Sequence, residues 1–84
     1  MIRKIYLIRD TALDSYLVPM FFQSEGAARR AFTDEVNRAA DDNIMYNHPE
    51  HFQLFCAGDY DDDIGLFHTM PPEFVVAAHS VRVP

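Results

Sequence analysis

Four acids in the second half of the chain, Asp59, Asp61, Asp62 and Asp63, come nearest to a reactive pattern. The alternation Asp59-x-Asp61-x-Asp63 is how a calcium loop begins, because a hard cation gathers several carboxylate oxygens. The rest of such a loop is absent. Its turn glycine would fall at Ile64 and its bidentate acid at Met70. Aspartate also suits reverse turns, where the side chain bonds its own backbone, so these acids read as a solvated hairpin turn. His48 and His51 stand three apart and could share a metal on a helical segment. Pro49 lies between them and no third ligand has suitable spacing, so turn and packing roles are expected. His68 and His79 are isolated. Cys56 sits in an apolar run with no neighbouring cation to lower its pKa, and a buried cysteine behaves as a small hydrophobe. Ser15, Ser24 and Ser80 lack the context of a nucleophile elbow, and three glycines are too few and too scattered for a phosphate loop. No enzymatic activity, metal or cofactor is expected.

The basic residues suggest binding. Arg3, Lys4 and Arg9 lie on the first apolar run, and Arg29, Arg30 and Arg38 lie on a helical segment. If they converge, Tyr6, Tyr16 and Phe21 or Phe22 could offer stacking surfaces to the bases of a single strand. The charge balance opposes a diffuse basic surface. Residues 1–40 carry six Lys/Arg against five Asp/Glu, whereas residues 41–84 carry one arginine against eight acids, within a net charge of −6. Counterion release needs clustered cations, so any DNA contact belongs to a local face of the first half. For the helix arginines the plainer reading is a solvated face, with Glu25–Arg29, Arg30–Asp34 and Asp34–Arg38 at i,i+4 spacing.

The elements that hold these residues follow from periodicity. Residues 2–9 form a strand with Ile5 and Leu7 on one face and Tyr6 and Ile8 on the other, apolar on both sides and so internal to a sheet. Tyr16 to Phe22 is a second apolar run, and Pro19 within it marks an edge strand or a bulge. Ser24 offers an N-cap for a helix reaching about Ala40, with Ala28, Phe32, Val36 and Ala39 as its apolar stripe. Asp41 to Glu50 reads as a polar connector. Phe52 to Tyr60 and Leu66 to Met70 form a hairpin about the acidic turn, broken by Pro71-Pro72, and Glu73 to Val83 fits either a helical turn or a strand.

The order β-β-α-β-β predicts a single α+β domain over residues 1–84, a small antiparallel sheet of about four strands with one amphipathic helix on a face. A chain of 84 residues buries about 60–65% of its unfolded surface, and seven Phe and four Tyr fill a small core efficiently. One cysteine cannot close an internal disulfide and suits a reducing compartment. No signal peptide or membrane span is expected, which predicts a cytoplasmic protein. The two apolar faces of the first strand predict a homodimer.

Three ordered blocks resemble the small nonstructural protein of the gokushovirus-type microviruses, phages with circular single-stranded DNA. They are Tyr6-Leu7-Ile8-Arg9-Asp10 with Pro19-x-Phe21-Phe22, then Gly26-Ala27-Ala28-Arg29-Arg30-Ala31-Phe32-x-Asp34-x-Val36-Asn37, then His48-Pro49-Glu50-x-Phe52-x-Leu54-Phe55 with Gly58-Asp59-Tyr60-Asp61 and Gly65. The likeness spans residues 6–65. It implies a protein of the host cytoplasm during infection, absent from the virion, that assists viral DNA synthesis or the production and packaging of single strands. It carries no catalytic residues. The partner implied is single-stranded DNA or a viral or host replication or packaging protein. The competing expectations are a protein-interaction module using the acidic second half, and a metal-dependent activity at the aspartate turn.

Overall fold

Strand β1 (Ile2–Asp10) is the centre of the molecule. The computed structural model, which describes residues 1–84, pairs β1 on one side with β2 (Ser15–Tyr16) and β3 (Met20–Phe22). On its other side runs β4 (Phe52–Asp61), and β5 (Leu66–Ala77) closes the sheet beyond β4. All pairings are antiparallel. The run of residues 16–22 is therefore two short edge segments and not one strand. Pro19, which can donate no ladder hydrogen bond, falls in the gap between them.

Helix α1 (Glu25–Val36) is capped by Ser24, whose Oγ accepts from the Ala27 amide at 3.1 Å. Its buried stripe is Ala28, Phe32 and Val36, which meet Tyr6 and Ile8 of β1 and Phe52 and Leu54 of β4. Met45 and Ala78 complete this core. The helix ends at Asn37, short of the expected Ala40, and Ala39 is exposed. Two asparagine side chains take the carbonyls that a longer helix would use. Asn37 Nδ2 donates to Thr33 and Val81 oxygens, and buried Asn43 Nδ2 donates to Glu35 and Arg38 oxygens, all at 2.8–2.9 Å. Asn43 then caps the short helix α2 (Ile44–Asn47), so the expected polar connector is partly helical and buries Met45. A 3-10 turn at Pro49–His51 leads into β4, and α3 (Ala78–Val81) ends the chain's regular structure.

Pro71-Pro72 does not end the last strand. β5 continues to Ala77 because it is an edge strand and because its ladder is interrupted where the prolines lie. Gly58 pairs with Thr69 and Cys56 with Glu73, so Met70, Pro71 and Pro72 stand opposite Ala57 alone. Prolines are tolerated at such bulges. Ala57 is also the extra residue of β4 against β1, where Ile5 pairs with Gly58 and the next residue, Tyr6, pairs with Cys56.

That bulge decides which side chains share a face. A regular strand alternates with period two, which would put Tyr60 beside Leu54 and Cys56 under the helix. One inserted residue reverses the alternation, and Tyr60 turns to the opposite face. Gly58 carries the irregular backbone at φ 120°, a region L-residues rarely adopt. A Cβ there would sit 2.1 Å from the His68 carbonyl oxygen.

Candidate nucleic-acid interface

Helix α1 covers one face of the sheet and leaves the other bare. The register places Arg3, Ile5, Leu7 and Arg9 of β1 on the bare face, with Tyr16 opposite Arg9 and Phe21 opposite Ile5. From β4 come Phe55 opposite Leu7 and Tyr60 opposite Arg3, and from β5 come Phe67 opposite Tyr60 and Phe74 opposite Phe55. The rings form two clusters. Tyr16, Phe55 and Phe74 meet edge-on with centroids 5.6 and 5.8 Å apart. Phe21, Tyr60 and Phe67 form the second group, with centroids 4.5 to 6.3 Å apart. Ile5, which is buried, and half-buried Leu7 lie between them on β1.

Edge-to-face pairs fix ring orientation and contribute roughly 0.5–1.5 kcal/mol each beyond burial. They leave much of the ring surface open to solvent: Tyr16 is 40%, Phe21 42%, Phe67 54% and Phe74 57% exposed. Scattered exposed hydrophobes are ordinary on protein surfaces, but a contiguous set rimmed by charge marks an interaction surface.

Charge is segregated between the two faces. The acids of the strands, Asp10, Asp59, Asp61 and Glu73, all fall by register on the face that bears the helix. The bare face carries Arg3 and Arg9 at its two ends. The Arg9 guanidinium lies 5.3 Å from the Tyr16 ring centroid, within cation–π range, and also pairs with Asp14 from the loop. Arg3 Nε donates to Asp62 at 2.8 Å. Each such contact leaves further guanidinium donors free.

The expected nucleic-acid set is thereby divided. Arg3, Arg9, Tyr16 and Phe21 share the bare face, Arg3 at one end and Arg9 with Tyr16 at the other. Tyr6 does not: it is 1% exposed in the core under α1, and burial raises its phenol pKa to about 12. A ring so placed has no face to offer a base. Phe22 packs against Tyr6 at 6.0 Å on the same side. Lys4 projects to the helix-bearing face opposite Asp59 and Phe22. Arg29 and Arg30 lie on α1 and Arg38 just past its end, and none of them converges with the strand arginines. Arg29 pairs with Glu25 as expected, but Arg38 pairs with Glu35 at i,i+3 and not with Asp34, and Arg30 has no ion pair. Arg38 follows the last helical residue, Val36, so the i,i+4 geometry of a helix does not extend to it. Phe55, Tyr60, Phe67 and Phe74 were missed as surface residues. Phe55 was legible in the alternation of β4, whereas Tyr60 was hidden by the bulge.

The aspartate turn is occupied by the chain itself. The N-terminal ammonium lies 2.8 Å from Asp62 Oδ1 and 2.7 Å from Asp63 Oδ2. The hydrogen bonds it donates to Asp62 and then to Asp63 raise its pKa from 8.0 to about 10. The Asp62 carboxyl is held below the ordinary range, first by the ammonium and then by Arg3. Asp59 faces His68 at 3.3 Å. Two cations thus satisfy the turn locally.

A curled antiparallel sheet, helix-covered on one side and aromatic on the other, defines a small α+β protein whose bare face carries six aromatic rings and an arginine at each end. A family model described as Phage ORF5 protein matches residues 3–81, and the chain belongs to that family. It is a phage protein. Comparison with curated proteins and with solved structures finds no match. No helix is long and apolar enough to cross a membrane.

Proposed function

We propose that the bare aromatic face binds single-stranded DNA and that the protein assists viral DNA replication or the production and packaging of single-stranded genomes. The observation that carries this reading is the composition of that face. Six aromatic rings and two terminal arginines share it, while the carboxylates of the strands project from the other side. Single-strand binders combine stacking platforms with cations along the backbone track, and stacking contributes about 1–3 kcal/mol per base. Segregation of the strand acids also helps reconcile DNA contact with a net charge of −6. Asp10, Asp59, Asp61 and Glu73 face away from the surface in use, leaving Asp14 and Asp62 beside its arginines. Within its family, the ordered blocks over residues 6–65 favour the gokushovirus-type lineage. The protein acts by binding in the host cytoplasm and not by catalysis.

The test is fluorescence anisotropy with a labelled oligothymidine at low and moderate salt. Phe74→Ala and Phe21→Ala each weaken binding by about 5- to 150-fold, the factor that corresponds to one lost stack. With two arginines on phosphates, a tenfold rise in salt weakens binding by about 25-fold. No binding at low salt removes the proposal, and equal loss from Arg30→Ala on the helix moves the site elsewhere.

A second reading uses the same face for self-association into a homodimer. It is favoured by the exposure of Phe67 and Phe74 beside Ile5 and Leu7, an apolar surface that a second copy would cover. Light scattering at tens of micromolar separates the readings: a dimer that Phe67→Glu dissolves, with no DNA affinity in either form, supports this one.

A further inference from the structure

The sequence sets His48 and His51 aside for want of a third ligand, but the folded turn supplies one. The 3-10 turn at Pro49–His51 brings residues three apart to the same side, since such a helix repeats every three residues. The His48 and His51 rings lie nearly parallel, 18° apart, with centroids at 5.8 Å. Glu50 reaches between them, and its Oε1 is 3.8 Å from both His48 Nδ1 and His51 Nε2. One donor atom from each of the three residues lies within 4.8 Å of the others.

We propose that His48, Glu50 and His51 form a binding site for one divalent transition-metal cation, with zinc as the fitting ion. Donors at these separations lie on a circle of radius about 2.2–2.5 Å, against zinc–ligand distances of roughly 2.0–2.2 Å. A shift of a few tenths of an ångström in side chains that are 43–59% exposed closes the difference. Two imidazoles and a carboxylate form a donor set that zinc takes, with the fourth position left to water. The same set disfavours calcium and magnesium, which require more oxygens.

The backbone holding these ligands is fixed. The His51 amide donates to the His48 carbonyl at 3.1 Å, and the His51 carbonyl accepts from the Thr11 amide at 2.8 Å and the Thr11 hydroxyl at 3.1 Å. Pro49 further restricts the turn, so little chain entropy remains to be lost when an ion binds. The aspartate turn has no comparable vacancy, because the N-terminal ammonium and Arg3 occupy its carboxylates. The site lies where β1 ends and β4 begins, and it does not depend on the DNA reading.

Isothermal titration of the metal-stripped full chain with zinc tests the proposal. One zinc per chain is expected, with a coordination shift in the nitrogen spectra of His48 Nδ1 and His51 Nε2. His48→Ala or His51→Ala weakens binding by more than about tenfold, and Glu50→Gln, which keeps the shape of the turn, weakens it by a similar factor. His68→Ala and His79→Ala leave it unchanged. Absence of stoichiometric binding, or binding that survives the His48→Ala/His51→Ala double substitution with a native circular-dichroism spectrum, overturns the assignment.

Discussion

Replacing Gly58 by alanine tests the bulge on which the bare face depends. At φ 120° an L-residue is strained by about 1–3 kcal/mol before any contact is considered. The added methyl then meets backbone, with the His68 carbonyl oxygen at 2.1 Å, Thr69 Cα at 2.9 Å and His68 C at 3.1 Å. None of these atoms can rotate away, so β5 must move, and overpacking of this kind costs a further 1–3 kcal/mol, roughly. The combined loss of about 2–6 kcal/mol is a large share of the ~4–13 kcal/mol expected for 84 residues. Gly65→Ala is the control. Gly65 also has a positive φ, 67°, but nothing lies within 4 Å of a Cβ built there, so only the conformational term of about 1–2 kcal/mol applies. Thermal unfolding by circular dichroism reads the difference. With roughly 4–8 °C per kcal/mol, Gly65→Ala lowers Tm by about 5–15 °C and Gly58→Ala by appreciably more. Equal shifts in the two variants would refute the close approach of β5 and with it the explanation of why Tyr60 faces the aromatic side.

Other consequences follow from the packing. Leu54 is fully buried, so Leu54→Ala costs about 3–5 kcal/mol in urea unfolding, whereas half-exposed Phe74→Ala costs about 1 kcal/mol and separates binding from folding. Asn43→Ala removes the donors to the Glu35 and Arg38 carbonyls and costs about 2–3 kcal/mol. Asn43→Asp costs at least as much, since a carboxylate would face those same oxygens. At the hairpin tip, the raised pKa of the N-terminal ammonium makes its contribution complete below about pH 8 and lost as pH climbs through about 10. The lowered pKa of Asp62 gives the opposite sense, a contribution present at neutral pH and lost in acid. Amide shifts of residues 61–65 followed by NMR report both, and an alkaline midpoint near 8 would show that the ammonium does not hold the turn.

Much of the architecture was legible because it is local. The Ser24 cap, the Ala28–Phe32–Val36 stripe and the alternation of β1 each follow from contacts within a few residues, and all three recur in the structure. The expected α+β class follows from the same signals. Tyr6 shows where local reading stops. Its strand is apolar on both faces, and nothing within residues 2–9 says which face the helix covers. The ring offered as a stacking platform is instead a core residue.

What the sequence by itself determined is the set of elements and the type of surface available: a short chain rich in Phe and Tyr, with its arginines mostly in the first half. Only the tertiary structure decided which of those residues meet. The Ala57 bulge turned Tyr60 outward, the edge position of β5 let it pass Pro71-Pro72, and the 3-10 turn brought Glu50 between two histidines. The physical reason is common to all three. Strand register and edge position depend on pairing with distant chain, and a one-residue offset reverses every side chain beyond it. For the histidine turn, ligand geometry was available only once the backbone had been pinned by Thr11, 40 residues away.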